Sequence, residues 1–423
     1  MLKKVLSLAL AMALVATMLV GCSSSGSKTS SGSSNVTLKM WYWNRSTDDA
    51  VIKSVHTKYP NITVQATKIG GDYLQKVTTT LAAGSGMPDI LFFNDWVTTM
   101  LANKDKFVNL YDAPYNAKSI ESNYLDWKWK LGESADGKTL IAIPIDTGPT
   151  GLFYRTDVFE KAGLSADPTQ VTNLTKTWDD YFAVGDTIKA KTGLPLFDNI
   201  NNVYTQMCSQ AAGPYIFDKS GNFIGDNATN KNAFTKAGSA VKYSAKIAQW
   251  TTDWNAAATQ GKFASFVAAV WYKAILKDSA ADASGKWGVA ATPGGPGNNG
   301  GSFVGIPKSS QHPQEAWKAI SYMMNDENNV TNMKNLDLFP SSKKAIADSS
   351  IITKETYFAN QETNKVFVDA AQNIPIRYLA PTYTTYQTYF TDQLKLVETQ
   401  NKSVDTAWSD ALAKCKDQIA RTK

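Results

Sequence analysis

From residue 36 onward the chain alternates short apolar runs with amphipathic stretches. Val36-Thr37-Leu38-Lys39-Met40-Trp41-Tyr42-Trp43 reads as a strand, and Thr47 to Tyr59 follows as a helix until Pro60-Asn61 stops it. A second strand is expected from Ile62 to Ile69. A helix from about Asp72 to Ala83 is closed by Gly84-Ser85-Gly86, and Asp89-Ile90-Leu91-Phe92-Phe93 supplies a third, wholly apolar strand. Strands and helices in that order describe a doubly wound parallel sheet. Ligands sit at the carboxyl ends of such strands. Here those ends carry Trp43-Asn44-Arg45 and Asn94-Asp95-Trp96, each a polar group beside an indole.

Further on, the apolar run Leu140 to Ile145 leads into Asp146-Thr147-Gly148-Pro149-Thr150-Gly151 and then Leu152-Phe153-Tyr154. Gly and Pro between two strand-like runs suggest a crossing between lobes. Thr177 is placed to cap a helix, with Asp180 at the capping-box position. Phe263 to Leu276 is apolar around Trp271-Tyr272, and a glycine-rich loop, Thr292 to Ser302, precedes Phe303-Val304-Gly305-Ile306-Pro307. Pro313, Trp317, Ile320 and Met324 mark one more amphipathic helix. No repeat is visible, and this length exceeds what one core holds, so two lobes are expected.

The amino terminus is different. Lys3 and Lys4 precede an apolar run from Val5 to Val20, the layout of a secretory signal and too short for a convincing membrane span. Leu19-Val20-Gly21-Cys22 resembles the bacterial lipobox, which assigns residues 1–21 to a signal peptide and Cys22 to lipid attachment. Residues 22–35, rich in Ser and Gly, then form a flexible tether. The formal charge of +6 includes the two signal lysines and is spread along the chain, so no nucleic-acid partner is indicated. Cys208 and Cys415 can pair or remain buried thiols. No zinc spacing exists, no metal is expected, and His56 and His312 read as structural or surface residues.

Four blocks in order resemble a known family. They are Tyr73-Leu74-Gln75-Lys76 through Asp89-Ile90, Ile143-Pro144-Ile145-Asp146 through Gly163-Leu164, Gly261-Lys262-Phe263-Ala264 through Trp271-Tyr272, and Trp287-Gly288-Val289-Ala290 through Pro307-Lys308. The family is the solute-binding lipoproteins (family 1) of bacterial ABC sugar importers, related to maltose-binding protein. The resemblance implies an α/β protein of the periplasmic-binding type, with two doubly wound lobes joined by a multi-segment hinge that closes around a ligand. Its lobes would be residues 36–146 plus 303–339, and 147–302 plus 340–423. The crossings would lie near Asp146–Thr150, Gly300–Val304 and Phe339–Pro340. The family pattern puts Trp43, Asn44, Asp95, Asp146 and Trp271 in the cleft, and Tyr204 and Arg377 beside them on a looser match.

The implied partners are a neutral oligosaccharide, ABC permease subunits and the membrane, the last through the lipid on Cys22. The protein is expected to lie outside the cytoplasm, act as a monomer and use no cofactor. The chemistry agrees, because aromatic faces cover sugar C–H faces while carboxylates, amides and Arg satisfy hydroxyls. Each residue also has a plainer use: Trp43 and Trp271 as core, Asp95 as a helix cap, Asp146 as a turn former. Trp250 and Trp254 read as packing residues, as do Tyr378, Tyr383, Tyr386 and Tyr389. The Gly294–Gly305 stretch lacks the Gly-Lys-Ser/Thr of a phosphate loop. No catalytic group stands out, which leaves an extracellular glycosidase, a binder of another solute such as a peptide, or a sensor subunit as rival readings.

Overall fold

This computed structural model describes residues 34–422; Cys22 and the chain ahead of Ser34 lie outside the described residues. The strands run in chain order as β1 (Val36–Tyr42), β2 (Ile62–Lys68), β3 (Ile90–Phe93), β4 (Ala142–Pro144), β5 (Asp146–Thr147), β6 (Thr150–Arg155), β7 (Gly213–Pro214), β8 (Ser265–Ala269), β9 (Trp287–Ala290), β10 (Phe303–Gly305), β11 (Phe339–Pro340) and β12 (Arg377–Tyr378). They support two α/β lobes, each with its own main sheet.

The first sheet has the order β2-β1-β3-β10-β4. β1 pairs in parallel with β2 and β3, whereas β10 runs antiparallel between β3 and β4. Four strands thus point the same way, and the fifth returns from the glycine-rich loop. Alternation divides the sheet into two faces. Leu38, Met40, Tyr42, Ile90, Phe92 and Ile143 enter one core, while Leu91, Phe93 and Ala142 enter the other. The flanking helices are capped as their sequences dictate. Asp48 accepts from the Ala50 amide, so the first helix begins at Asp49 rather than Thr47, and Asp72 accepts from Gln75.

The second sheet, β8-β6-β9, is antiparallel on both sides of its central strand. Leu152, Tyr154 and Val267 pack on one face with the helices Trp178–Thr192, Ile200–Ser209 and Tyr383–Gln400. Phe153 and Phe266 stack at 5.0 Å on the other face, among Trp254, Trp287 and Phe367. The Thr177/Asp180 capping box forms. The apolar run from Phe263 splits into β8 and the helix Tyr272–Ser279, with Trp271 at the break. Cys208 and Cys415 are both buried free thiols.

The segments expected to cross between the lobes pair with one another. β5 pairs with β11, setting Phe339 opposite Thr147 and Pro340 opposite Asp146. The glycine-rich loop lies along 148–150: the Asn299 amide donates to the Gly148 carbonyl and the Gly148 amide to Asn298 Oδ1, both at 2.9 Å. Glycine is required here, since a Cβ on Gly148 would stand 1.9 Å from the Asn299 carbonyl oxygen. The short helix Asp126–Trp129 spans both cores. Trp129 is in the first, while Trp127 packs into the second and donates to the Ala371 carbonyl at 2.8 Å.

Candidate functional site

Because β1, β3 and β4 are parallel, their carboxyl ends reach one edge of the first sheet. Trp43-Asn44-Arg45 leaves β1, Asn94-Asp95 leaves β3 and Asp146 follows β4. β10 starts at the same edge, bringing Gly300, Gly301 and Ser302. Across from it, β8 ends into Trp271. These residues line one cavity of about 540 Å³, together with Trp250 and with Leu336 and Leu338 at the third crossing. That volume is in the range of small-molecule pockets.

The aromatic wall is a stack. Trp271 lies 4.6 Å from Tyr272 and 5.4 Å from Trp250, at interplanar angles of 30° and 25°. The Trp271 indole N–H donates to the Asn299 carbonyl at 3.0 Å, fixing its plane. Trp250 is 71% exposed and holds a left-handed backbone (φ +68°), an unfavourable choice for a bulky side chain. Its neighbours hold it there. Gln249 Nε2 donates at 2.7 Å to Asp198, Trp254 Nε1 donates to the same carboxylate at 3.0 Å, and the Tyr272 hydroxyl donates to Gln249 at 2.7 Å. Asp198 is fully buried, and burial pushes its carboxyl up to about 6 despite these donors.

Behind the polar wall, on the side of a smaller compartment, lies Lys128. Its side chain is fully buried, with Nζ 3.4 Å from the Gly300 carbonyl and 4.0 Å from the Phe303 ring centre. Burial pushes its ammonium down to about 7, against the pull of Asp146 and Asp95. Burial also raises the Asp146 carboxyl, with Lys128 opposing the rise. Asp95 still meets solvent through the cleft. Asp146 is 5% exposed and accepts from the Ser302 amide at 2.7 Å, so it ties the first crossing to the second. A Cβ on Gly301 (φ +86°) would come within 2.6 Å of both Lys128 Nζ and the Asp146 carbonyl. At the mouth, Arg45 reaches across to Asp278 at 2.9 Å.

A second compartment of about 150 Å³ meets the first at Asp95, Asn299 and Gly300, and Lys128 and Arg377 both line it. Of the seven residues expected in the cleft, Trp43, Asn44, Asp95, Asp146 and Trp271 line the larger cavity and Arg377 the smaller. Tyr204 lines neither. It is fully buried in the second lobe, where its hydroxyl donates to Asn230 at 2.7 Å. Ile200, Val203 and Cys208 share its buried helix face, the spacing of a core stripe. Trp250, read from sequence as a packing residue, is instead an open indole in the cleft. Thr251 caps the helix that holds Trp254, so Trp250 lies outside that helix and helical spacing did not apply to it. Lys128 carried no signal, since a lysine between two tryptophans gives no hint of burial. Among the described residues no group of three or more His, Cys, Asp or Glu is placed to hold a metal ion.

Residues 44–330 match the family described as bacterial extracellular solute-binding protein. The chain is 28% identical over 266 residues to a lactose-binding protein of Rhizobium radiobacter, covering 60% of each. It is 26% identical over 338 residues to an arabinooligosaccharide-binding protein of Bacillus subtilis (strain 168), covering 75% of each. It thus spans about 60% of the length of the first of these relatives. The crystal structure of an extracellular solute-binding protein family 1 superposes with a TM-score of 0.85 at 30% identity, covering 90% of this chain and 99% of that one.

Proposed function

The chain belongs to the bacterial extracellular solute-binding protein family, and from that premise we propose that it captures an oligosaccharide outside the cytoplasm and delivers it to the permease of an ABC importer. The observation that carries this reading is the open Trp250 indole, stacked on Trp271 and sharing one cavity with Trp43, Asn44, Asp95 and Arg45. An indole face suits the C–H face of a sugar ring, and the amide and charged groups suit its hydroxyls. The relatives named for lactose and arabino-oligosaccharides point to the same ligand class.

Capture proceeds by closure of the lobes about the segments near 146–150, 300–304 and 339–340. Trp43, Asn44, Asp95 and Trp271 contact the ligand; Asp146 acts from the hinge by holding Ser302. The protein works as a monomer, leashed to the membrane by lipid on Cys22 through the tether of residues 22–35.

Thermal-shift measurements over plant and storage oligosaccharides test the reading. A micromolar ligand at millimolar concentration adds about 4 kcal/mol to stability. A melting temperature that responds to peptides and to no saccharide refutes the ligand class, and new reducing ends in the incubated glycans would establish a glycosidase instead. Labelled palmitate that enters the wild type but not C22A supports the anchor.

A further inference from the structure

The smaller compartment has an unusual charge arrangement. Arg377, on β12, lies with its guanidinium 5.5 Å from the Tyr383 ring centre and 5.7 Å from that of Tyr215. Its Nη2 donates to the Tyr383 hydroxyl at 3.1 Å, while its Nε is buried with no hydrogen-bond partner. Two phenols and the Cys208 thiol bear on its charge, and among the described residues no carboxylate forms an ion pair with it. That thiol is itself neutral, its titration pushed up to about 11 by burial. The acids of the region, Asp95 and Asp146, sit on the Lys128 side. One wall of the compartment is therefore lined by a guanidinium that no carboxylate pairs with among the described residues. Thr205, Gln387 and Asp95 line the same space.

Sugar hydroxyls can occupy guanidinium donors but cannot balance the charge. A half-buried cation without an anionic partner is costly, and a carboxylate matches a guanidinium with two parallel charge-assisted bonds. The compartment holds on the order of ten waters, comparable with one pyranose ring of about a dozen non-hydrogen atoms. We propose that this compartment receives a carboxylate-bearing sugar residue, whose carboxylate pairs with Arg377 while the remaining rings lie against Trp250 and Trp43. The inference rests on the reading of the cleft as a saccharide site. It narrows the neutral polyol expected from sequence to an oligosaccharide that is acidic at one residue.

The test is calorimetric titration of the intact protein with matched pairs of oligouronates and their carboxyl-reduced neutral counterparts, built on galacturonate, glucuronate and mannuronate backbones. In at least one pair the acidic member binds about tenfold more tightly at low salt, and the preference shrinks as salt is raised. R377Q abolishes the acidic-over-neutral preference, whatever its effect on affinity for the neutral members; R377K, which keeps the charge without the fork, retains part of it. Melting curves of both variants establish that they fold. Neutral members binding as well as or better than acidic ones in every pair overturns the inference but leaves the saccharide reading standing, as does a preference that survives in R377Q. If no saccharide of either kind binds, both fall.

Discussion

Trp250 offers the sharpest test, because its energetic balance without ligand is close to even. With 71% of its surface open, it buries only about 60 Å² against Trp271 and Tyr272, worth about 1.5 kcal/mol. Holding a non-glycine residue at φ +68° costs about 1–2 kcal/mol. The two nearly cancel, so the indole adds little to the stability of the unliganded fold. Against a sugar ring the sum changes. Covering another 60 Å² or so of the open face gains about 1.5 kcal/mol, a little over tenfold in affinity. Trp250→Gly relieves the backbone and removes the platform together. Thermal or urea unfolding should therefore move by less than about 1 kcal/mol, while calorimetry with the best saccharide of the panel records about a tenfold loss. Trp250→Ala keeps the left-handed strain and should be the less stable of the two. An affinity for saccharide unchanged in both variants refutes the reasoning; so does a stability loss above about 2 kcal/mol in the glycine variant, which makes the indole structural.

Asp198 titrates at about 6, above its unfolded value, so its contribution to stability is greatest below about pH 4 and is lost as pH rises through 6. Unfolding free energies of wild type and Asp198→Asn across pH 4–7 should diverge by up to about 3 kcal/mol, and parallel curves exclude this. Lys128 titrates at about 7, below its unfolded value, so its burial penalty is full below pH 7 and relieved towards pH 10. Lys128→Met should flatten that alkaline rise in stability. The Arg45–Asp278 pair is exposed and worth well under 1 kcal/mol to the fold, yet it spans the mouth. Arg45→Gln should speed saccharide release two- to fivefold at low salt and leave it unchanged at 0.5 M salt, readable by stopped-flow tryptophan fluorescence. Gly148→Ala has no room beside the Asn299 carbonyl and should lower stability by more than about 3 kcal/mol, visible as a large fall in melting temperature.

What was legible in the chain was local and periodic. β1, β2 and β3 could be placed because their apolar runs end at Pro, Gly or capping residues, and parallel order then aligned Trp43 and Asp95 on one edge. Phe339-Pro340 pairs with Asp146-Thr147, and no pattern in the sequence announces that pairing. Other features depend on distant contacts. Nothing near Phe303 says that β10 inserts antiparallel between β3 and β4. Nothing near Lys128 says that Gly300 and Phe303 will enclose its ammonium. Tyr204 was expected in the cleft only on a looser family match, and its helical spacing with the buried Ile200 and Cys208 is that of the core stripe it joins. Asp146 lines the cavity with one carboxylate oxygen engaged by the Ser302 amide, a bond no local pattern announces.

The place of β10 also bears on when the protein can fold. β3 and β4 have no strand between them until Phe303–Gly305 is available, although β1 begins at Val36. The first sheet is thus closed by a contact very distant in sequence, which makes its completion slow. A nascent chain that has emerged only as far as the glycine-rich loop carries two open sheet edges and no finished lobe. If the chain is exported as proposed, such delay is useful: the leading half stays threadable until nearly three-quarters of the molecule has been made.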